Sequence, residues 1–390
     1  MSARTEHTQA IATVYVVPAE QPVKVWGLVP EQRIARQLLE LGVSDVRRAK
    51  AQDYPRQGTV LLLRGDVVYD DPILAALLDR PGVRVERAAP TTPQPLAAHV
   101  PASQAAEAEA WLRGASGAPP HTAPVAPERM GDGYRRKLRK REDPYCLQVD
   151  RSTRHEVERR IYMGAYKGVT DAVTKYIWPI PAMWTTRACV RLGVTPNMVT
   201  LVSAVLVLAA LWAFANGALG WGLLAAWPMT FLDTVDGKLA RVTLRSSKFG
   251  NLFDHGIDLV HPPLWYWAWL HGLAGTAYGL ASPWTGWTVA AIFTGYVLGR
   301  LAEGFFTRRF GFDLFVWTRF DSAFREVTAR RNPCLLLLTG GWLLGRPDLG
   351  ILATAAWLVL SAAIQVIRAV QAERAVSRGQ SVTPWLQAPA

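Results

Sequence analysis

The sequence predicts a mainly α-helical polytopic membrane domain with six transmembrane helices, preceded by a small cytoplasmic α/β domain. Three observations carry this prediction. No Asp, Glu, Lys or Arg occurs from Leu192 to Leu232, from Leu259 to Gly299, or from Leu349 to Ile367. Each run exceeds the roughly 18 apolar residues that suggest a spanning helix, and the first two can hold parts of more than one. The N-terminal part instead mixes short buried-strand patterns with amphipathic stretches, and the basic residues of the apolar half fall in alternate connections.

Composition narrows the class. The chain has 390 residues, half of them hydrophobic, sixteen tryptophans and a formal charge of +12. Its three cysteines, Cys146, Cys189 and Cys334, are odd in number and far apart. They give neither a metal spacing nor a disulfide framework, which suits a reducing compartment. The opening residues MSARTEHTQA lack the apolar core of a cleavable signal peptide, so the N-terminus is expected in the cytoplasm.

In chain order, "IATVYVV" and "TVLLL" read as buried strands, and "EQRIARQLLELG" as an amphipathic helix ending at Gly42. "DDPILAALLDR" reads as a second helix before the strand-like "VRVER". The α/β domain is expected over 1–114. A Pro/Ala/Gly-rich linker and a polybasic segment follow over 115–153, with six basic residues between Arg135 and Arg141. Its position before a membrane domain points to anionic headgroups as the partner, with a solvated charge run as the plain alternative. Nucleic acid is not an expected partner.

Residues 154–193 mix charges with aromatic residues and suit interfacial helices interrupted by Pro179 and Pro181. Six spans are expected near 195–216, 220–242, 248–271, 284–306, 332–346 and 349–369, within a six-helix domain over 194–372. Residues 373–390 form a tail. Arg187 and Arg191 precede the first span, and Arg241, Arg245 and Lys248 join the second to the third. Six arginines from Arg308 to Arg331 join the fourth to the fifth, and Arg368, Arg374 and Arg378 follow the sixth. Positive loops face the cytoplasm, so both termini are expected there.

Within this apolar half stands "DTVDGKLARVTLRSSKFGNLFDHGID", residues 233–258. On a helix, Asp233, Asp236, Gly237, Ala240 and Arg241 share one face. A second helix places Gly250, Asp254 and Asp258 on one face, and two facing helices bring four carboxylates together near the cytoplasmic side. An isolated aspartate at the centre of a spanning helix costs roughly 2.5–3.5 kcal/mol, so four need a counter-charge. Clustered carboxylate oxygens suit Mg²⁺ or Mn²⁺, and no Cys/His set favours zinc. Gly237, Ala240 and Gly250 permit close approach, and Arg241 supplies a cation for a phosphate. Metals, a phosphate-binding arginine and open space describe a diphosphate site. The plain alternative is pairing of these acids with Arg241, Arg245 and Lys248.

The spacing DxxDGxxAR–x8–GxxxDxxxD resembles the signature of the CDP-alcohol phosphotransferase family, also called CDP-alcohol phosphatidyltransferases. "VTPNMVT" before the first span is similar to the family's Thr-Pro-Asn entry. "GRLAEG" (Gly299 to Gly304) is similar to a segment of members that use phosphorylated sugar alcohols. The resemblance covers about residues 155–370. It implies that Asp233, Asp236, Asp254 and Asp258 hold two divalent ions, with Asp258 the general base. It implies a CDP pocket lined by Asp233, Gly237, Ala240, Arg241 and Gly250, and a homodimer in a bacterial or archaeal inner membrane. The implied reaction joins a CDP-alcohol donor to a hydroxyl acceptor, releasing CMP, in phospholipid biosynthesis; inositol phosphate and glycerol phosphate are candidate acceptors.

Arg300 and His261 are candidate acceptor-binding residues. The plain alternatives are a topology anchor for Arg300 and an ordinary hydrogen-bonded histidine for His261. The soluble domain faintly resembles a nucleotidyltransferase, with Asp66 at a strand end. Active domains of that kind begin with a Gly-rich loop, because backbone amides must cradle a triphosphate. Here "VVPAEQPVKVWG" follows the first strand, so a degenerate, structural or regulatory domain is expected. Two other classes stay open. An ion-coupled carrier would spread its acids over several spans. A non-catalytic scaffold would not require the complete signature.

Overall fold

The computed structural model describes residues 13–387 except 51–52, 91, 116, 132 and 246–247, and excludes the side chains of 248, 249 and 251–255. The opening decapeptide therefore lies outside the described residues. Contacts divide the chain into two units, Met1–Gly133 with Glu142–Gly164 and Tyr134–Arg141 with Ala165–Ala390.

The first unit is the expected α/β domain. It begins with β1 (Thr13–Val17), α1 (Pro30–Glu40), β2 (Val46–Arg48), β3 (Thr59–Arg64), β4 (Val67–Tyr69) and α2 (Asp71–Leu78). β5 (Val83–Arg87), β6 (Gln94–Pro101), α3 (Ala105–Leu112) and β7 (Ala123–Val125) follow. Two short strands of the other unit, β8 (Tyr134–Arg135) and β9 (Lys140–Arg141), precede β10 (Cys146–Gln148) and α4 (Arg154–Gly164). The main sheet runs β2-β1-β3-β6-β5-β7, with β1 parallel to β2 and β3 and antiparallel pairs at β6.

Alternation along β1 decides the layers. Val14 and Val16 pack with Ile34 and Leu38 of α1, whereas Tyr15 and Val17 face the cluster holding Ala105, Ala108 and Trp111 of α3. Both faces of the sheet are thus covered, which explains why "TVLLL" is apolar throughout.

The boundaries differ from expectation in two places. Part of the expected linker is structured, since β7 pairs parallel with β5 and Met130 is fully buried. A Pro-rich segment suits an edge strand, where its missing amides remove no pairing on the open side. Helix α4, expected at a membrane interface, belongs to the α/β unit. It buries Val157, Ile161 and Tyr162, and Trp26 stacks on Tyr162 with centroids 5.6 Å apart.

The second unit is helical. α5 (Pro179–Leu192) leaves Ile180, Trp184 and Leu192 exposed, as an interfacial helix would. α6 (Pro196–Ala215) opens on Thr195, whose side chain accepts from the Met198 amide, with proline at the first helical position. α7 (Leu219–Thr243), α8 (Lys248–Leu273) and α9 (Ser282–Phe310) follow, then α10 (Arg319–Val327), α11 (Arg331–Leu343) and α12 (Pro347–Ser377). Their core gathers Phe214, Trp265, Trp269, Leu338 and Ile351. Gly272 is required at one crossing, because a Cβ there would lie 2.0 Å from the Phe214 carbonyl oxygen.

Helices occupy each of the six expected spans. Among the described residues, three of them, α6, α9 and α12, are long and apolar enough to cross a membrane. The chain is an integral membrane protein, and six crossings are not established by these helices. α11 has 13 residues, about 20 Å at helical rise against a hydrocarbon core of about 30 Å. α7 and α8 carry the charged signature, which lowers their apolarity.

The polybasic segment is also more structured than expected. β8 and β9 form a hairpin in which Arg139 adopts a left-handed conformation and pairs with Asp313 at 2.9 Å. The Gly168 amide donates to the Leu138 carbonyl at 2.8 Å. A Cβ on Gly168 would lie 2.6 Å from the Lys140 Cβ, so glycine is needed there.

Candidate active site

The site is assembled on α7 and α8. Asp233 and Asp236 lie on α7 one turn apart, and Asp258 lies on α8. Arg331, at the start of α11, joins two of them. Its Nη1 donates to Asp258 Oδ1 at 2.6 Å, and its Nη2 donates to Asp233 Oδ2. Asp236 is buried and accepts from the Thr200 hydroxyl of α6 at 2.7 Å. Three helices besides α7 therefore hold the carboxylate face.

The lower half of the α7 signature is fixed by one backbone oxygen. The Ala165 carbonyl accepts from Arg241 Nη1 at 2.6 Å and from Lys238 Nζ at 3.1 Å. The Lys238 ammonium also lies over the Tyr166 ring, 3.2 Å from its centroid. Gly237 leaves the space that Arg241 uses, since a Cβ there would approach Arg241 Nη2 to 3.2 Å. Ala240 lies on the same face, half-buried. Gly250 stands in the first turn of α8. The Asp254 side chain lies outside the described residues, so its part in the site remains an expectation.

A second set of residues is basic and gathers around Glu303 and Lys167. Arg300 and Arg330 both donate to Glu303, Arg300 at 3.4 Å. The Arg300 guanidinium also lies over the Tyr296 ring at 5.1 Å. Two cations on one carboxylate leave a net positive charge. Arg325 has buried Nε and Nη1 groups without a hydrogen-bond partner among the described residues. Lys167 lies within electrostatic range of Arg139, Arg241, Arg325 and Asp233. Partial loss of water around its ammonium, with the three guanidiniums, lowers its pKa to about 8.

His261 is buried beside Trp265, with ring centroids 4.6 Å apart. Its Nδ1 donates to the Ile257 carbonyl one turn back at 2.7 Å, since a carbonyl only accepts. That bond orients the ring inside its own helix.

Sequence reasoning missed Arg331, Lys167, Arg325 and Thr200. Arg331 and Arg325 sat among six arginines assigned to topology, and nothing in their spacing separates a site arginine from an anchor. Lys167 carries no motif, and Thr200 closes the quoted "VTPNMVT" without a role being read into it.

Asp233 and Asp258, from different helices, converge on one positive group with carboxylate oxygens of the kind a hard divalent cation takes. Among the described residues, no three His, Cys, Asp or Glu side chains form a ready-made cage.

The α/β unit shows different chemistry. The Glu31 carboxylate accepts from the Ala19 amide after β1 at 3.3 Å and pairs with Arg48 at 3.0 Å. Asp66 pairs with Arg64 at 2.6 Å and accepts from Gln148 at 2.9 Å.

Comparison with known proteins agrees with the signature. Residues 193–322 match the family model of CDP-alcohol phosphatidyltransferase. A phosphatidylinositol phosphate synthase of Mycobacteroides abscessus is 39% identical over 74 residues, covering 19% of this chain and 34% of that protein. An archaetidylinositol phosphate synthase of Pyrococcus horikoshii is 42% identical over 74 residues, covering 18% and 38%. A bifunctional IPC transferase and DIPP synthase of Rubrobacter xylanophilus is 32% identical over 174 residues, covering 42% and 34%. The chain thus spans little more than a third of the length of these relatives. With the signature on α7 and α8 and the match over 193–322, the chain carries a CDP-alcohol phosphatidyltransferase family domain.

Proposed function

We propose that this protein is a membrane CDP-alcohol phosphotransferase that uses divalent cations and a hydroxyl acceptor carrying a phosphate. The observation that carries the reading is the convergence of two signature acids, Asp233 and Asp258 from different helices, on one cation, Arg331. Asp233, Asp236, Asp254 and Asp258 would hold Mg²⁺ or Mn²⁺. Bound there, such ions neutralise the diphosphate and the charge on departing CMP.

The protein's own residues supply the rest. Arg241, held by the Ala165 carbonyl and facing the Gly237 gap, pairs with the diphosphate of the donor. Asp258 accepts the proton of the acceptor hydroxyl as that oxygen attacks the phosphorus bearing the alcohol. A new P–O bond forms, the P–O bond to CMP breaks, and CMP leaves with the electron pair. The product is a phosphodiester.

Two features support the substrate classes. An open cavity of about 1300 Å³ runs along α7, lined by Trp178, Leu224, Trp227 and Phe231 and reaching Gly217 and Pro347, with none of the signature acids in its lining. It suits the acyl chains of a CDP-lipid donor. The excess positive charge of Lys167, Arg300, Arg325 and Arg330 suits a phosphorylated polyol, and inositol phosphate appears in the names of two relatives. Six crossings, cytoplasmic termini and a homodimer complete this reading. The soluble unit is read as a degenerate nucleotidyltransferase-like domain with a structural or regulatory role.

The test is CMP release by the purified full-length protein with Mg²⁺ or Mn²⁺. CDP-diacylglycerol and CDP-inositol are offered against inositol phosphate, glycerol phosphate and unphosphorylated alcohols. Metal-dependent release with a phosphorylated acceptor, abolished by Asp258→Asn, is expected. Failure to bind CDP with either metal would overturn the reading.

A further inference from the structure

Arg331 lies outside the family signature, yet it makes the two closest contacts to its acids. Its neighbours have partners elsewhere. Arg330 donates to Glu303, and Asn332 Nδ2 donates to Asp171 at 2.9 Å and to Thr174 at 3.2 Å. These contacts fix the first turn of α11 on both sides of Arg331 and aim its guanidinium at the carboxylate face. The side chain is 15% exposed, against 18% for Asp233 and 42% for Asp258. Its Nε is buried without a hydrogen-bond partner among the described residues.

This arrangement competes with a metal for the same carboxylates. One guanidinium hydrogen sits on Asp258 Oδ1, the carboxylate that has to accept a proton, and another sits on Asp233. A divalent cation takes carboxylate oxygens at about 2.0–2.2 Å and carries twice the charge in a smaller volume. It competes for the same lone pairs. Without either cation, two acids held at one point by packed helices would repel each other strongly. Arg331 occupies one oxygen of each carboxylate, Asp258 Oδ1 and Asp233 Oδ2, and a metal that takes the two acids through those oxygens displaces it. The displaced guanidinium stays tethered beside an anionic substrate whose oxygens match its fork.

We propose that Arg331 is an exchangeable counter-cation. It holds Asp233 and Asp258 together in the metal-free protein, yields them to the divalent ion, and then pairs with a phosphate of the substrate. The proposal rests on the reading that these aspartates bind metal. It makes Arg331 a positioning residue with opposite effects on two ligands, because removing it frees the acids for metal and takes a donor from substrate.

The experiment measures Mn²⁺ binding to the full-length protein in detergent by the loss of the free-ion electron paramagnetic resonance signal. Wild type, Arg331→Gln, Arg331→Lys and Asp236→Asn are compared, with CDP binding measured at saturating Mn²⁺. Arg331→Gln is expected to bind Mn²⁺ about tenfold tighter, equivalent to about 1.4 kcal/mol, and CDP more weakly. Arg331→Lys, which cannot bridge both carboxylates with one planar fork, is expected to shift the same way by less. It decides the matter if the glutamine variant does not fold. Unchanged or weaker Mn²⁺ binding in these variants, with Asp236→Asn still impaired, would overturn the exchange and leave the metal site standing. No Mn²⁺ binding by wild type or variant would overturn the metal reading itself.

Discussion

The Thr200 hydroxyl of α6 donates to the Asp236 carboxylate of α7 at 2.7 Å, and both residues are buried. This contact links the helix opened by Thr195 and Pro196 to the most buried of the described signature acids. It sets the direction of one carboxylate oxygen without neutralising its charge.

Replacing Thr200 with valine keeps the shape and removes the donor. A hydrogen bond to a charged group contributes about 1.5–3 kcal/mol. Thr200→Val is expected to raise the Mn²⁺ concentration for half-maximal CMP release and to lower the unfolding midpoint, whereas Thr200→Ser keeps both near wild type. Titration of CMP release against Mn²⁺ checks this. An unchanged metal dependence in the valine variant would show that Asp236 is oriented by other contacts.

Lys167 predicts a pH dependence. The groups facing it are Arg139 of the hairpin, Arg241 of α7, Arg325 of α10 and Asp233, with Lys238 also near. Its pKa falls from 10.5 to about 8. Below that value the folded protein carries the charge at its full cost. Between about 8 and 10.5 the unfolded chain keeps a proton that the folded protein releases, so this residue's contribution to stability rises with pH across that window. Binding of a phosphorylated acceptor runs the other way, since the ammonium is lost as pH rises through about 8. The acceptor KM is expected to rise there in wild type and to stay flat in Lys167→Arg, whose guanidinium keeps its proton. KM measured across this range with constant metal checks the pair, and parallel curves would remove Lys167 from the acceptor subsite.

Arg368 of α12 holds Asp321 of α10 by two hydrogen bonds, at 2.6 and 2.8 Å. Asp321 is fully buried and closes a capping box with Thr318. Removing one partner of a buried pair costs about 3–5 kcal/mol, because the other charge stays behind. Arg368→Met is expected to lower the thermal midpoint in detergent markedly. Asp321→Asn in the same chain is expected to restore part of it. A midpoint unchanged by Arg368→Met would mean that the Thr318 amide and hydroxyl alone hold Asp321 in place.

What the sequence determined by itself is the local pattern. Helical periodicity placed Asp233, Asp236, Gly237 and Arg241 on one face, and the uncharged runs located helices on five of the six expected spans, because both signals depend on neighbours along the chain. Continuous apolar runs likewise marked β1 and β3 as buried strands. Tertiary structure decided which groups meet across helices. Arg331 reaches Asp233 and Asp258 from 98 and 73 positions away, and at that separation an arginine in a positive loop has no local mark. The polybasic segment, α4 and the Pro-rich stretch at β7 show the same limit. Charge and proline content describe what a segment tolerates, whereas a hairpin at Gly168, a buried Tyr162 and a free sheet edge at β5 decide where it packs.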